Sequence, residues 1–442
     1  MSLETPVKIR EFQRKLYRKA KQEPSYRFYL LYDKICREDI LRHAYQLAKA
    51  NAGAPGVDGQ SFLAIEQQGS DEWLAALRQE LIEERYRPQA VRRVMIPKPN
   101  GGERPLGIPT IRDRVVQTAA KLVVEPIFEA DLEPNAYGYR PRRSAQDAVR
   151  KVHELLVQGY TDVLDADLSK YFDTIPHAEL MQCVARRISD RRVLHLIKMW
   201  LTAAVMEQDD RGNWHNLGRN RQGTPQGGVI SPLLANLYLN RFLKYFRLQG
   251  KSKIWRAEIV SYADDFVILT QRCVQQWAAH QARAWTQQTM TRLGLTLNES
   301  KTSIRDALHE DFDFLGYTFG PRYWWKTGHR YTAARPSKKS IQRLTAAVYD
   351  LLRPRVTAPW AEVRNRLNAT LRGWQNYFRQ GSVSRAYTIV NRYVEQRVRS
   401  FLRRRHLSSG VRGTRRFSTE TIFGVLGVHR CARSGEPAWA FP

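Results

Sequence analysis

The sequence predicts an α+β fold that gives way to helices alone towards its C-terminal end. From Tyr160 to about Arg305, short β-prone runs alternate with helical patterns, as in a mixed layer of sheet and helices. Acidic residues sit at the ends of two of those runs. Beyond Tyr323 only the helical period remains.

Residues 1 to about 50 read as helical and amphipathic, rich in Lys, Arg and Tyr, and they break at the Gly- and Pro-dense stretch Ala52 to Gly59. A helix from Asp71 to Arg85 follows, with Ser70 as its N-cap, and then a strand from Val91 to Ile96. The loop Pro97 to Leu106 reads as a hairpin tip that carries two exposed cations, Lys98 and Arg104, before the strand Leu106-Gly107-Ile108. Taken alone, that tip is either a solvated turn or a grip for an anion.

In Val163-Leu164-Asp165-Ala166-Asp167-Leu168, strand alternation puts Asp165 and Asp167 on one face and the apolar residues on the other. Tyr262-Ala263-Asp264-Asp265, between Val260 and Phe266-Val267-Ile268-Leu269, reads as a tight strand–turn–strand. Adjacent carboxylates between apolar runs are costly without a cation. Hard oxygen ligands from two strand ends suit a pair of Mg²⁺ ions about 3.5–4 Å apart, the arrangement of two-metal phosphoryl transfer. A nucleotide polymerase is the leading expectation.

Three helices are expected towards the end of the chain, Lys338 to Leu352, Trp360 to Phe378 and Ser384 to Arg405. In the second, Val363, Leu367, Leu371, Trp374 and Phe378 form one apolar stripe, read as core packing of a small helical domain. Residues 321–442 hold 25 Lys and Arg against 5 Asp and Glu. That excess is too one-signed for an ordinary solvated face, and Tyr323, Trp324, Trp325 and Tyr377 are interleaved with it, a pattern suited to nucleic acid.

Composition sets the outer bounds. The chain has 442 residues, enough for two or three domains, and its 43% hydrophobic content argues for a folded protein. A net charge of +29 points to a polyanion, nucleic acid first and a membrane surface second. No apolar run is long enough to span a bilayer and Met1 to Lys21 lacks a secretory core, so a soluble intracellular protein is expected. Cys36, Cys183, Cys273 and Cys431 show no paired spacing, and neither a phosphate-loop motif nor H-E-x-x-H is present.

Seven blocks follow one another in a telling order: Ile96-Pro97-Lys98 through Arg104 to Thr110; Tyr137-Gly138-Tyr139-Arg140-Pro141 with Ser144-Ala145; Asp165 to Asp173; Gln222 to Leu233; the Tyr-Ala-Asp-Asp hairpin; Leu293-Gly294-Leu295 to Lys301-Thr302; and Phe314-Leu315-Gly316-Tyr317. With these blocks the chain resembles the bacterial group II intron-encoded reverse transcriptases, or maturases, over nearly its whole length. The resemblance implies a right-hand polymerase with α+β fingers and palm and an α-helical thumb, or X domain. The expected divisions are 1–60, an N-terminal RNA-contacting extension; 61–160, fingers; 161–320, palm; 321–405, thumb; and 406–442, a short basic DNA-binding region. Gly373 to Phe378 is similar to the signature of the X domain.

Carried over to this chain, the resemblance makes Asp167 and Asp264 ligands of two Mg²⁺ ions, for which Mn²⁺ can substitute, with the Leu168 carbonyl as a further oxygen. Asp265 either binds metal or holds the turn, while Asp165 and Asp173 act from behind the ligands. Lys98 and Arg104 match cations that grip the dNTP triphosphate. Phe172 falls where a ring beneath the sugar excludes a 2′-OH, and Gln226 lies in a glycine-rich loop near the templating base. Lys301 matches a lysine that protonates pyrophosphate, with an ordinary surface lysine as the competing reading. Phe314 to Tyr317 corresponds to the primer grip, its two aromatics being equally readable as palm core.

The implied partners are group II intron RNA, an RNA template with a DNA primer, dNTPs and target DNA, with no membrane, in the bacterial cytosol or at the nucleoid. The Cys-paired HNH endonuclease domain of longer members has no counterpart in this sequence, so priming from elsewhere, such as a nascent replication strand, is expected. Rival readings are a relative that has left its intron for DNA repair or phage defence, a splicing cofactor with a dead polymerase, and an RNA-dependent RNA polymerase.

Overall fold

The computed structural model describes residues 3–97, 101–209, 211–271, 277–324, 326–406 and 415–433. Lys98, Cys273 and Trp325 lie outside these residues. The strands, in chain order, are β1 Val91–Pro97, β2 Glu103–Ile108, β3 Asp162–Asp167, β4 Ala204–Gln208, β5 Trp214–Arg219, β6 Ala257–Tyr262, β7 Asp265–Thr270, β8 Ser303–Asp306, β9 Phe312–Phe314, β10 Tyr317–Tyr323 and β11 Arg330–Pro336. Among the described residues they form three sheets, ordered β2-β1-β4-β5, β6-β7-β3-β8 and β11-β10-β9.

At the centre of the larger core runs the Ile111–Glu129 helix, capped by the Thr110 hydroxyl, which accepts from Asp113 N. Val115, Val116, Ala119, Ala120, Val123 and Val124 are all buried. The helix also buries Asp113, Arg114 and Gln117, so its burial is not mirrored in an apolar stripe and periodicity did not announce it. The N-terminal helices Val7–Gln22 and Glu38–Ala50 bury Ile9, Ile40, Leu41 and Ala44 in that same core. The helical run expected there is interrupted after Gln22. Pro24 disfavours continuation, Phe28 pairs with Ile188, and the Asp190 carboxylate accepts from Leu31 N and Tyr32 N at 2.9 Å each.

Ser70 is the first residue of the Ser70–Ile82 helix and not its cap. Gly69, at φ 99°, takes that place because the Phe62–Gln68 helix ends directly against it, and a left-handed backbone joins the two. The β1–β2 ladder closes as far as Pro97 opposite Glu103, which puts Arg104 on a strand, opposite Ile96, and shortens the expected loop. Gly101 and Gly102, both at positive φ, lead into β2. Residues 204–219 return to the same sheet, with β4 parallel to β1 and β5 exposed along its length as an edge strand.

The β6-β7-β3-β8 sheet is antiparallel and covered on both sides. Leu164 and Ala166 face the larger core, whereas Val163 faces a second core with Val260, Val267 and Leu269. Val163 therefore shares the face of Asp165 and Asp167. The expected separation of charged and apolar faces fails because an inner strand must be apolar on both sides away from its end.

The three C-terminal helices stand close to expectation, as Lys338–Leu351, Trp360–Tyr377 and Ser384–Arg405, with Val363, Leu367 and Leu371 buried. Residues 415–433, expected as part of a separate basic region, instead complete the core of these helices. Phe417, Ile422, Val428 and Cys431 enter it. Asn368 grips the backbone of this segment, donating to Gly427 O at 2.8 Å and accepting from His429 N at 2.7 Å, and Asn391 holds both the N–H and the carbonyl of Cys431. Asn368→Ala removes two such bonds and leaves backbone groups unpaired, so unfolding in denaturant is expected to show a loss of about 2 kcal/mol. An unchanged midpoint would mean that the segment does not depend on this anchor. Among the described residues no helix is long and apolar enough to cross a membrane.

Candidate active site

Strand register builds the acidic cluster. Asp167, the last residue of β3, pairs with Asp265, the first of β7, so the two carboxylates leave neighbouring strand ends on one face. Ala263 and Asp264 form the two-residue turn between β6 and β7, with Ala263 held at φ 57°, a conformation costly for a residue with a Cβ. The turn is braced from behind. Tyr137 N donates to Ser261 O at 2.8 Å, Asn236 Nδ2 donates to Gly138 O at 2.6 Å, and a Cβ on Gly138 would meet Tyr262 C at 3.0 Å. Gly138 is required there because backbone lies against backbone.

The cluster carries more negative charge than its protein surroundings neutralise. Asp265 is open to solvent at the strand end yet crowded by protein elsewhere, and that desolvation, followed by the Asp264, Asp167 and Asp165 carboxylates, pushes it up to about 7. Desolvation likewise raises Asp264, and it raises Asp165 to about 6 with Asp167 adding to the effect. Lys301 Nζ donates to Asp167 Oδ2 at 2.9 Å, and Asn298 Nδ2 reaches the same oxygen at 3.2 Å. The bond to Asp167 raises the Lys301 pKa, so this ammonium keeps its proton.

Oxygen donors with raised pKa values suit a hard divalent cation. Among the described residues no three His, Cys, Asp or Glu side chains converge on one point, but Mg²⁺ is commonly held by one or two carboxylates together with substrate phosphates. Leu168 forms an isolated bridge to Leu297 in which residues 167 and 169 make the hydrogen bonds. Its own carbonyl therefore faces away from Leu297.

Opposite the carboxylates, the Arg104 guanidinium donates to Gln226 Oε1, and Gln226 Nε2 donates to Asp173 Oδ1 at 2.9 Å. This chain of side chains joins β2 to the segment after β3. The glycines of the Gln222–Gly228 loop answer to protein contacts: a Cβ on Gly223 would lie 2.6 Å from Phe172 O, and one on Gly227 would strike Gly107 O. Both glycines are needed where this loop passes against the chain's own backbone. Phe172 is buried, edge-on to Tyr139 with centroids 6.3 Å apart, and its carbonyl accepts from Thr224 N at 2.6 Å.

The structure thus brings Asp167, Asp264, Asp265, Lys301, Arg104, Gln226 and Phe172 near one another. Sequence reasoning missed Asn298 and the roles of Gly138 and Tyr139. Tyr139 is half-exposed, at φ 54°, and feels the Asp264 charge. Its neighbour Gly138, between two aromatics and before Arg140-Pro141, was the available signal.

Two family matches divide the chain. The reverse transcriptase (RNA-dependent DNA polymerase) family matches residues 96–319, and the group II intron maturase-specific domain matches residues 341–417. Protein YkfC of Escherichia coli is 38% identical over 353 residues, covering 70% of this chain and 87% of its own length. The group II intron-encoded protein LtrA of Lactococcus lactis subsp. cremoris is 36% identical over 231 residues, 52% of this chain but 37% of LtrA. Nuclear intron maturase 1 of Arabidopsis thaliana is 29% identical over 205 residues, 34% of this chain and 29% of its own length. The matched blocks contain the carboxylate cluster and the helical domain already described, and the chain belongs to the reverse transcriptase family as an RNA-directed DNA polymerase that carries a group II intron maturase domain.

Proposed function

We propose that this protein extends a DNA primer on a group II intron RNA template, the primer 3′-OH attacking a dNTP in a Mg²⁺-dependent step, and that it also assists splicing of that RNA. The reading is carried by the register that sets Asp167 beside Asp264 and Asp265, a carboxylate cluster short of positive charge. Asp167 and Asp264 would hold two Mg²⁺ ions, or Mn²⁺ in their place, with the Leu168 carbonyl as a further oxygen and Asp265 adding charge. When bound, these ions lower the pKa of the attacking hydroxyl and offset charge on the leaving pyrophosphate.

The side chains do the rest of the work. Arg104, with Lys98 from the adjoining loop, neutralises the triphosphate. Arg104 is engaged by the neutral Gln226 amide, a partner a phosphate readily displaces, which returns Gln226 to the templating side. Lys301, which donates to Asp167, would give its proton to the pyrophosphate, a reading supported by its position beside that carboxylate. Phe172, immobilised through Thr224 and Tyr139, is the wall beneath the sugar.

The basic faces of the Lys338–Arg405 helices and the N-terminal helices grip the template–primer duplex and the intron RNA, and target DNA is met by cations of the last stretch, Arg415 and Arg416 among them. Work in the bacterial cytosol or at the nucleoid follows from such partners. Primer extension on an RNA template with dNTPs and Mg²⁺ tests the polymerase: long cDNA is expected, and the reading falls if none forms. In the same assay Phe172→Ala is expected to raise NTP use relative to dNTP by roughly tenfold to a hundredfold, as a lost steric contact allows. An unchanged preference would remove Phe172 from sugar selection.

A further inference from the structure

Leu315 and Gly316 connect β9 to β10 as a two-residue turn, with Phe314 opposite Tyr317. Both central residues have positive φ, 50° and 78°, as the tightest hairpin turns require, and Leu315 pays for it with a strained backbone. Both carbonyls of this turn are taken up by the helical domain. Tyr377 Oη donates to Leu315 O at 2.9 Å, while Ser337 N and Ser340 Oγ donate to Gly316 O at 2.9 and 2.8 Å. A return bond runs from Tyr317 Oη to Tyr377 O at 2.6 Å.

Four hydrogen bonds therefore cross between the turn and the helices within a few residues, and the Tyr317 and Phe378 rings pack alongside with centroids 5.0 Å apart. The same buried cluster contains Val260 and Val267 of the catalytic hairpin, with Tyr262, Leu315 and Tyr377 packed against it. Burial, with Tyr262 and Asp265 nearby, pushes the Tyr377 hydroxyl up to about 12, so it remains a donor throughout the working pH range.

We infer that Tyr377 and Ser340 are positioning residues of the polymerase: by clamping the Leu315–Gly316 turn they fix the helical domain at one height against the Asp264 hairpin. This rests on the proposed roles of the carboxylates and of the helical domain as the duplex grip. It also accounts for Tyr377 at the end of the Trp360–Tyr377 helix, which packs outside the helical core and reaches the turn with its hydroxyl. A duplex held by the helices then meets the carboxylates in a single register, and a loosened clamp misplaces reactants that are still bound.

The test measures single-nucleotide incorporation at saturating dNTP, duplex affinity and amide exchange for wild type, Tyr377→Phe and Ser340→Ala. Tyr377→Phe is expected to lower kcat about five- to tenfold, the worth of one buried hydrogen bond, with KM for dNTP and duplex Kd within about twofold of wild type. Exchange at the Tyr317 and Thr318 amides is expected to rise. Ser340→Ala should act in the same direction but less, since Ser337 N still holds Gly316 O. Wild-type kcat in both variants, or a loss that follows duplex Kd, overturns the clamp. Inactive wild type would strike the polymerase reading instead, and unchanged exchange in Tyr377→Phe would still overturn the clamp on its own.

Discussion

Alanine at Asp264 is expected to abolish DNA synthesis, by at least about a thousandfold in primer extension, because under the proposed two-metal reading it removes a ligand whose position Asp265, one residue further on at the start of β7, does not occupy. RNA affinity, measured by filter binding, should stay within about twofold of wild type. The two activities separate because the carboxylates stand at the β3 and β7 ends, whereas the excess of Lys and Arg lies in residues 321–442. The variant is also expected to melt no lower than wild type. Asp264 is held in a desolvated place next to Asp167, and its removal relieves repulsion that the folded state carries without metal. Equal loss of synthesis and RNA binding would show that Asp264 supports the fold, and the metal reading would fall with it.

Gly138→Ala is expected to cost a large part of the activity, less than Asp264→Ala, without touching a carboxylate. Its new methyl group would press into Ala263 N, with Tyr262 C at 3.0 Å and Ala263 Cα at 3.2 Å, all of them backbone atoms that no rotamer change can move aside. The Asp264 turn must shift, and a displacement of about 1 Å at reacting groups costs on the order of a hundredfold in rate. Overpacking of this kind also costs about 1–3 kcal/mol of stability, readable in a denaturant titration. If Gly138→Ala keeps wild-type incorporation, the bracing of the turn by the Tyr137–Tyr139 segment is not what sets the geometry of the site.

Much of the site was legible in the chain because its residues come in short, chemically marked runs. Asp167 ends an apolar strand and Asp264 lies in the turn between two, where charge demands a reason, and the last three helices show their stripe and cations openly. Lys301 was less so: an exposed lysine beside Thr302 looks like any surface lysine until Asp167 is found 2.9 Å away. The Ile111–Glu129 helix was hidden because it is buried almost all round while carrying Arg112, Asp113, Arg114, Gln117, Lys121 and Glu125, and β4 because it is too short and mixed to declare a parallel partner as distant in sequence as Val91 opposite Val205.

By itself the sequence determined the type of chemistry and the polyanionic partner, since carboxylates in apolar strands and a one-signed excess of cations are local facts of composition and spacing. Only the tertiary structure decided that Asp167 faces Asp265, that Gln226 ties Arg104 to Asp173, that residues 415–433 close the helical core, and that Tyr377 reaches back to Leu315. Each of these joins residues far apart in the chain, and such pairings depend on strand register and backbone approach, which no local pattern encodes.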